Sequence, residues 1–257
     1  MPSWNPNQYL KFDDERTRPC RDLVQRIGLE KPHRIVDLGC GPGNSTEVLA
    51  ERWPEATLIG FDNSEQMILT AREKFPRSLW QVADITSWAA GEPQDLVFSN
   101  AALQWVPDHK RVLPRLFQQV KPGGALAFQV PVNIQATAHR LMREVAATPA
   151  WRSHFPNNPR EWFAHDTAFY YEVLASEAVR LDLWTTEYFH VLQSPDAIVE
   201  WYKGTGLRPF LDQLPDETEK NRFLADYRRE IEKAFPRQND GCVLFPFLRL
   251  FVIAYRR

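Results

Sequence analysis

A glycine-rich loop at Gly39 to Gly43 is the feature of this 257-residue chain that most constrains its fold. It follows the apolar run RIVDLG at 34–39, which is typical of a buried strand, and precedes NSTEVLAERWP at 44–54, which has helical spacing. We expect Asn44 or Ser45 to cap that helix. A strand, a glycine turn and a helix in this order favour a nucleotide-binding unit, because glycines let the backbone turn tightly and approach a ligand closely.

Strand and helix patterns alternate through the rest of the first half. Strand-like runs are at 57–62, 79–84, 95–100 and 125–130, and a helical segment is at 64–75. The second half holds a helical segment at 168–178, a long strand pattern at 179–192, a helical stretch at 194–235 and a final strand at 246–255. The alternation predicts a doubly wound, Rossmann-like α/β sheet in a single domain, with residues 30–130 as the cofactor-binding core. The helical insert between the last two strands and the N-terminal segment are predicted to cover a substrate, at 194–238 and 1–25.

Composition argues against several classes of partner and location. Lys and Arg number 31 against 33 Asp and Glu, so a net charge of −2 creates no strong field for nucleic acid or an anionic membrane. Three cysteines make an odd count that argues against a disulfide framework. The polar N-terminus lacks a signal-peptide pattern, and no apolar run reaches the ~18 residues of a membrane span. We therefore expect a cytoplasmic protein with no nucleic-acid or membrane partner.

Three acids lie where predicted strands end. Asp62 follows the glycine loop by about 20 residues, the position from which an acid binds ribose hydroxyls in nucleotide folds. Asp37, just before Gly39, would repel a pyrophosphate at the helix N-terminus but attract the ammonium and sulfonium of S-adenosylmethionine. Asp84 would accept from the adenine amino group, while Ile85 and Met67 pack against the adenosine. The alternative interpretation is that the three acids only cap the helices that follow them.

The segments VDLGCGPG, FDNS, VADI and KPGG together resemble the class I S-adenosylmethionine-dependent methyltransferases. The resemblance implies a seven-stranded, mostly parallel sheet whose last strand is antiparallel. It also implies S-adenosylmethionine as the cofactor. The positions implied to contact this cofactor are Asp37, Gly39, Gly41, Asp62, Asn63, Met67, Asp84, Ile85 and Asn100.

The segment after the fourth strand faces the transferable methyl group in this fold. Here that segment reads SNAALQWVPDH, at 99–109. It lacks the [DN]PP[YF] pattern typical of enzymes that methylate amines of DNA bases or glutamine. The histidines are scattered without metal-ligand spacing, so we expect no metal. These observations favour a small molecule with an oxygen or carbon nucleophile.

A narrower resemblance extends over nearly the whole chain. WNPNQYLKF, LMREVA, YYEVLASEA, GLRPFL and LFPFLRLFVIAYRR are similar to the trans-aconitate methyltransferases, which implies esterification of one carboxylate of a tricarboxylate substrate. A carboxylate is already ionised at neutral pH, so no acid or base is required, and we expect Gln104 and Trp105 to position the reactants. The candidate substrate-binding residues are Tyr9, Arg16, Arg18, Trp105, Tyr202 and Arg208.

Other functions remain open from the sequence. A methyltransferase of the same fold could act on another small-molecule carboxylate, on an acyl-carrier carboxylate or on a quinone carbon. A NAD-type oxidoreductase or a nucleotide sensor would use a similar glycine loop. Tyr202 could equally be a core residue. The sequence does not predict an oligomeric state.

Overall fold

The computed structural model describes residues 13–157, 159 and 162–257, with side chains described from residue 17 onward. The helices are α1 (Asp13–Arg26), α2 (Asn44–Arg52), α3 (Glu65–Lys74), α4 (His109–Phe117), α5 (Thr137–Ala146), α6 (Thr167–Leu174), α7 (Pro195–Lys203), α8 (Arg208–Leu211) and α9 (Glu217–Ala234), with one 3-10 helix at Leu103–Trp105. The strands are β1 (Arg34–Leu38), β2 (Thr57–Asp62), β3 (Leu79–Val82), β4 (Gln94–Asn100), β5 (Val120–Pro131), β6 (Ala178–Leu192) and β7 (Val243–Arg256).

The seven strands form one sheet in the order β3-β2-β1-β4-β5-β7-β6. Strands β1 to β5 are parallel to one another, and β7 runs antiparallel to β5. Helices α7, α8 and α9 lie between β6 and β7 in the sequence. The predicted fold class is confirmed, including the antiparallel last strand and the helical insert before it.

The strand order reverses between β1 and β4, and both strands lie in the centre of the sheet. Leu96, Val97 and Phe98 of β4 are completely buried, because helices cover both faces of a parallel sheet of this kind. In such sheets ligands bind beyond the carboxyl ends of the strands, at the point where the order reverses. The loops after β1 and β4 are therefore the expected location of a site.

The chain divides into two compact units. Of the described residues, 13–132, 163–186 and 249–257 form unit 1, and 133–157, 159, 162 and 187–248 form unit 2. The described part of the predicted N-terminal cover lies in unit 1, and the insert at 194–238 lies in unit 2. The single domain and the covering role of these segments stay predictions.

Unit 2 has an aromatic core of its own. The rings of Trp151, Phe155, Phe210 and Phe223 pack edge to face or stacked, with centroids 5.2–6.0 Å apart. The indole nitrogen of Trp151 donates to Asp226 at 2.7 Å, so its one polar atom is satisfied. Within the described ranges, none of the helices combines the length and apolarity that crossing a bilayer requires.

Candidate cofactor and acceptor site

The glycine loop follows β1 in a conformation that only glycine adopts easily. Gly39 has φ +75°, and a Cβ on it would lie 2.2 Å from the Cβ of Ala102 in the loop after β4. Gly41 has φ +54° and would meet nothing within 4 Å. Gly39 therefore allows the loops after β1 and β4 to touch, while Gly41 leaves its outer face open.

Asp62, the last residue of β2, holds this loop in place. Its Oδ2 accepts from the backbone N–H of Gly41 at 2.9 Å, and its Oδ1 accepts from that of Ser64 at 2.8 Å. Burial raises the pKa of Asp62, although the backbone hydrogen bonds oppose that shift. The predicted proximity of Asp62 to the glycine loop is found. Each carboxylate oxygen can accept a further hydrogen bond, as a ribose site requires.

Asp37 is completely buried at the centre of the sheet. Its Oδ2 accepts from Ser45 Oγ at 2.6 Å and from Thr46 Oγ1 at 2.7 Å, both in the first turn of α2. Within the described part of the chain, its Oδ1 is buried and has no hydrogen-bond partner. Burial raises the pKa of Asp37 to about 6, against the hydrogen bonds from Ser45 and Thr46 that lower it.

The expected cap of α2 is wrong. Gly43 occupies the N-cap position with φ +97° and no side-chain cap bond, and the Ser45 hydroxyl turns inward to Asp37 instead. The roles of Ser45 and Thr46 were missed in the sequence. The NST run that follows the glycine loop is the signal that could have found them. Hydroxyl groups in the first turn of a helix can reach back to a buried acid that precedes the loop.

The third acid lies in a different environment. Strand β3 ends at Val82, two residues earlier than predicted, and Asp84 is exposed in the following turn. Its Oδ1 accepts from the backbone N–H and the hydroxyl of Thr86 at 2.7 and 2.6 Å, so this acid caps a turn, although no helix follows it before β4 in the described chain. Ile85 reaches the glycine loop, since its Cδ1 lies 3.5 Å from the Cβ position of Gly39. An adenine-binding role for Asp84 stays a prediction.

Two further predicted cofactor residues lie at the start of α3. Asn63 is exposed in the turn after β2. Met67 is 3% exposed, and its backbone N–H donates to the N-cap residue Ser64 at 3.4 Å. The structure therefore places Asn63 beside Asp62 at the strand end, and Met67 as a buried residue in the first turn of the helix that follows.

The segment after β4 carries an unusual backbone. Ala101 has φ +53°, although it is not glycine, and the 3-10 helix Leu103–Trp105 begins two residues later. Gln104 Nε2 donates to the carbonyl of Ala101 at 2.6 Å. Among the described residues, the buried Oε1 of Gln104 finds no donor. Strained backbone of this kind clusters at functional sites, and Trp105 lies half-buried at its end.

A buried histidine that sequence reasoning missed supports this turn. His109 contacts the carbonyl of Leu103 through Nε2 at 2.8 Å and the hydroxyl of Tyr170 through Nδ1 at 3.1 Å. A carbonyl only accepts, so Nε2 carries the proton and Nδ1 accepts from Tyr170. Burial lowers the pKa of His109, which keeps the ring neutral. Nothing in the spacing of the sequence pairs residues 109 and 170.

The predicted substrate residues are distributed over both units. Tyr9 and the side chain of Arg16 lie outside the described residues, and Arg18 is exposed on α1 in unit 1. Tyr202 is 1% exposed, with its ring 4.7 Å from that of His139, so it is a core residue of unit 2. Arg208 is half-buried at the start of α8 in unit 2. The role of these residues in substrate binding stays a prediction.

The loops after β1, β2 and β4 offer the hydrogen-bond acceptors that binding of a methyl donor requires. Buried acceptors without a donor of their own are Asp37 Oδ1 and Gln104 Oε1, counted over the described residues. They match the donors of an amino-acid ammonium, while Asp62 matches a ribose. The open face of Gly41 leaves room for a ligand backbone close by. Across the same residues, no three His, Cys, Asp or Glu side chains form a metal-binding group.

Comparisons with known proteins show the fold and the family of this chain. Residues 35–124 match the family described as a methyltransferase domain. The solved structure of phosphoethanolamine N-methyltransferase 2 from Haemonchus contortus with S-adenosyl-L-methionine has a TM-score of 0.56 at 16% identity, over 93% of this chain and 53% of that one. The YcgJ protein from Bacillus subtilis has a TM-score of 0.60 at 11% identity, over 93% of this chain and 99% of that one. At these identities the likeness shows the fold alone.

Similarity to curated proteins extends over the full length. A trans-aconitate 2-methyltransferase of Variovorax paradoxus is 46% identical over 259 residues, and one of Azoarcus sp. is 47% identical over 257 residues. Both alignments cover 100% of this chain and 100% of the relative. The shared sequence thus includes unit 2 as well as the cofactor core. The chain therefore belongs to the trans-aconitate 2-methyltransferase family, within the class I S-adenosylmethionine-dependent methyltransferases.

Proposed function

We propose that this protein transfers a methyl group from S-adenosylmethionine to one carboxylate of trans-aconitate, forming a monomethyl ester. The observation that carries the proposal is the similarity of 46–47% over the full length to proteins named for that reaction. The insert at 194–238 is part of the aligned length. It lies outside the shared methyltransferase core, so it is the part of the chain that supports a particular substrate.

The chain's own residues have a positioning role in this reaction. When bound, S-adenosylmethionine supplies a methyl group on a sulfonium sulfur: a carboxylate oxygen bonds to the methyl carbon, and the sulfur leaves as the thioether S-adenosylhomocysteine. Asp62 would hold the ribose, and the buried acceptors of Asp37 and Gln104 would hold the ammonium. A carboxylate has a pKa near ~4, so no residue has to remove a proton. Holding two reactants in line can lower a barrier by ~7–11 kcal/mol, and Trp105 would exclude water beside them.

Binding of a tricarboxylate requires cations and neutral donors. We assign this role to Arg16, Arg18 and Arg208, because guanidinium groups bind carboxylates in a bidentate way. Tyr9 is the proposed hydroxyl donor, whereas Tyr202 is buried in the core of unit 2. The three cysteines described are all free thiols, which supports a reducing, cytoplasmic location.

A substrate screen tests the proposal. Purified protein with S-adenosylmethionine labelled in the methyl group is offered trans-aconitate, citrate, a fatty acid and a phenol. The expected result is labelled trans-aconitate monomethyl ester, identified by its mass, well above every other product. Absence of that ester, or preference for the fatty acid, contradicts the substrate assignment. Calorimetric binding of NADH in place of S-adenosylhomocysteine would instead contradict the methyltransferase chemistry.

A further inference from the structure

A row of three polar side chains crosses the sheet at the carboxyl end of β4. Asn100 and Gln129 are partners in the parallel pairing of β4 with β5, and Arg249 of β7 is the partner of Pro131. Residues two apart on a strand face the same side of the sheet, so the three side chains share one face. Gln129 is completely buried and Arg249 is 3% exposed. All three residues belong to unit 1.

The row is joined by two hydrogen bonds. Arg249 Nη1 donates to Gln129 Oε1 at 3.2 Å, and Gln129 Nε2 donates to Asn100 Oδ1 at 2.9 Å. A guanidinium has donors and no acceptor, so Gln129 must present its oxygen to Arg249. The amide nitrogen of Gln129 then donates toward Asn100, which must accept with its own amide oxygen. The charge of Arg249 thereby fixes the orientation of two amides in succession.

The far end of the row is a hydrogen-bond donor at the candidate site. Over the described residues, the Nδ2 of Asn100 donates to no other group, and Asn100 is half-buried directly before Ala101. Hydrogen bonds that run in one direction polarise each other, so the cation makes this amide a stronger donor. A strong, fixed donor suits an anionic acceptor, and a carboxylate is the anion that the proposed reactants carry.

We propose that Arg249 and Gln129 are positioning residues that present the Asn100 amide N–H to a carboxylate of a bound ligand. Two sources share this chemistry: the amino-acid carboxylate of the cofactor and the carboxylates of the acceptor. The inference deepens the proposed function and rests on it for the acceptor. In a polar row that only packed the core, the orientation of the Asn100 amide would have no effect on ligand affinity, and that difference can be tested.

The variant Gln129→Glu reverses the direction of the row. A glutamate carboxylate still accepts from Arg249 but cannot donate to Asn100. The Asn100 amide must therefore turn its NH2 inward and present its oxygen to the ligand. We expect a melting temperature at least equal to that of the wild type, because a carboxylate is a stronger acceptor than an amide oxygen for the buried guanidinium of Arg249. We expect affinity for one carboxylate ligand to fall roughly tenfold to a hundredfold, the effect of losing a hydrogen bond to a charged group.

Two measurements separate the two sources. Calorimetry with S-adenosylhomocysteine reports the cofactor carboxylate, and the KM for trans-aconitate reports the acceptor. Gln118→Glu is the matched control, since Gln118 is exposed in the same unit and the change adds the same charge. If Gln129→Glu alters neither quantity, the inference is wrong. If the wild type makes no trans-aconitate ester but the variant loses affinity for S-adenosylhomocysteine, the proposed substrate fails and the inference stands.

A second pair of variants keeps the test independent of the folding of Gln129→Glu. Arg249→Lys retains a donor toward Gln129 Oε1, whereas Arg249→Met removes the constraint on its orientation. We expect the lysine variant to stay within a few-fold of the wild type in the affected affinity, and the methionine variant to lose it roughly tenfold or more. If both variants lose melting temperature and affinity together and equally, Arg249 has a structural role only and the inference is overturned.

Discussion

At the residue scale, Asp37 is a carboxylate whose ionisation is opposed by burial. Its pKa is about 6 in the folded protein, against an ordinary value of 3.8, with burial as the main cause. Between these two pH values the folded chain binds the proton more tightly than the unfolded chain. The stability therefore falls as pH rises from about 4 to about 6, by a total of roughly 3 kcal/mol. Above pH 6 the ionised form of Asp37 predominates, and its negative charge suits a cationic ligand.

Asp37→Asn should separate these two effects. The amide oxygen can accept from Ser45 and Thr46, while the charge disappears. Urea unfolding from pH 4 to pH 8 should show a variant more stable than the wild type above pH 6, with a weaker dependence on pH. Its affinity for S-adenosylhomocysteine at pH 7.5 should fall roughly tenfold to a hundredfold, because a charged partner is lost.

Asp95 provides the matched control for Asp37. Burial alone would raise its pKa, but the hydrogen bonds from Lys121 and from the backbone of Arg34 and His33 lower it overall. Its stabilisation is therefore present above the unfolded pKa and is lost as pH falls through the folded one, opposite in sign to Asp37. Asp95→Asn should lower stability at neutral pH and leave ligand affinity unchanged. Identical stability profiles for Asp37→Asn and the wild type would refute the role given to burial.

Residue positions were predictable where strand geometry dictates them. Asp37 and Asp62 were placed correctly because parallel strands bring their carboxyl ends to one edge of the sheet. The contacts of Asp37 with Ser45 and Thr46 were not predicted, because they depend on how Gly43 starts α2. The inward direction of a hydroxyl follows from that turn and leaves no periodic signal in the sequence.

At the element scale, the glycine loop combines backbone conformation with open space. Gly41 and Gly123 both have positive φ, at +54° and +79°, and neither would place a Cβ within 4 Å of another atom. Substitution by alanine should cost each variant about 1–2 kcal/mol of stability, the price of a left-handed residue with a side chain. Only Gly41→Ala should also weaken binding of S-adenosylhomocysteine in calorimetry, because only its methyl would enter the proposed cofactor site. Equal affinities in the two variants would remove Gly41 from the site.

The 3-10 helix after β4 depends on a second element for its position. Tyr170→Phe removes the donor to His109 Nδ1 and leaves that buried nitrogen unsatisfied, which should cost ~1–3 kcal/mol of stability. Because His109 holds the carbonyl of Leu103, we also expect kcat for methyl transfer to fall roughly tenfold. Tyr171→Phe, on the same helix but with a side chain 56% exposed, should change neither quantity. A Tyr170→Phe enzyme with unchanged kcat would show that the turn holds without this pair.

Elements with a regular period were predicted closely, and irregular ones were not. The bounds of β1 and β2 agree with the apolar runs at 34–39 and 57–62, because central parallel strands are continuously apolar. β3 is shorter than predicted at its C-terminal end, since Asp84 prefers a turn with Thr86. The positive φ of Ala101 has no signal in the sequence, because alanine does not mark left-handed backbone.

At the scale of the whole molecule, the sequence predicted the class of sheet but not the division into units. The seven strands follow from alternation in the chain and from the resemblance to a known family. Unit 2 brings together residues 133–162 and 187–248, which are separated in the sequence by part of unit 1. Its aromatic core joins Trp151 to Phe223, a pairing that depends on tertiary packing and has no local pattern.

This division suggests that the two ligands can be affected separately. The residues proposed to bind the cofactor all lie in unit 1, whereas Arg208 lies in unit 2. Arg208→Ala should raise the KM for trans-aconitate roughly tenfold or more, because a carboxylate loses a charged donor, and should leave the Kd for S-adenosylhomocysteine unchanged. Arg229→Ala is the matched control: Arg229 is an exposed arginine of unit 2 whose guanidinium pairs with Asp226 at 2.5 Å. A surface ion pair of that kind contributes little, so neither constant should change. Steady-state kinetics and calorimetry on the same preparations decide the matter: a shared rise of KM and Kd in Arg208→Ala would mean that the arginine supports the fold, and an unchanged KM would exclude it from the substrate site.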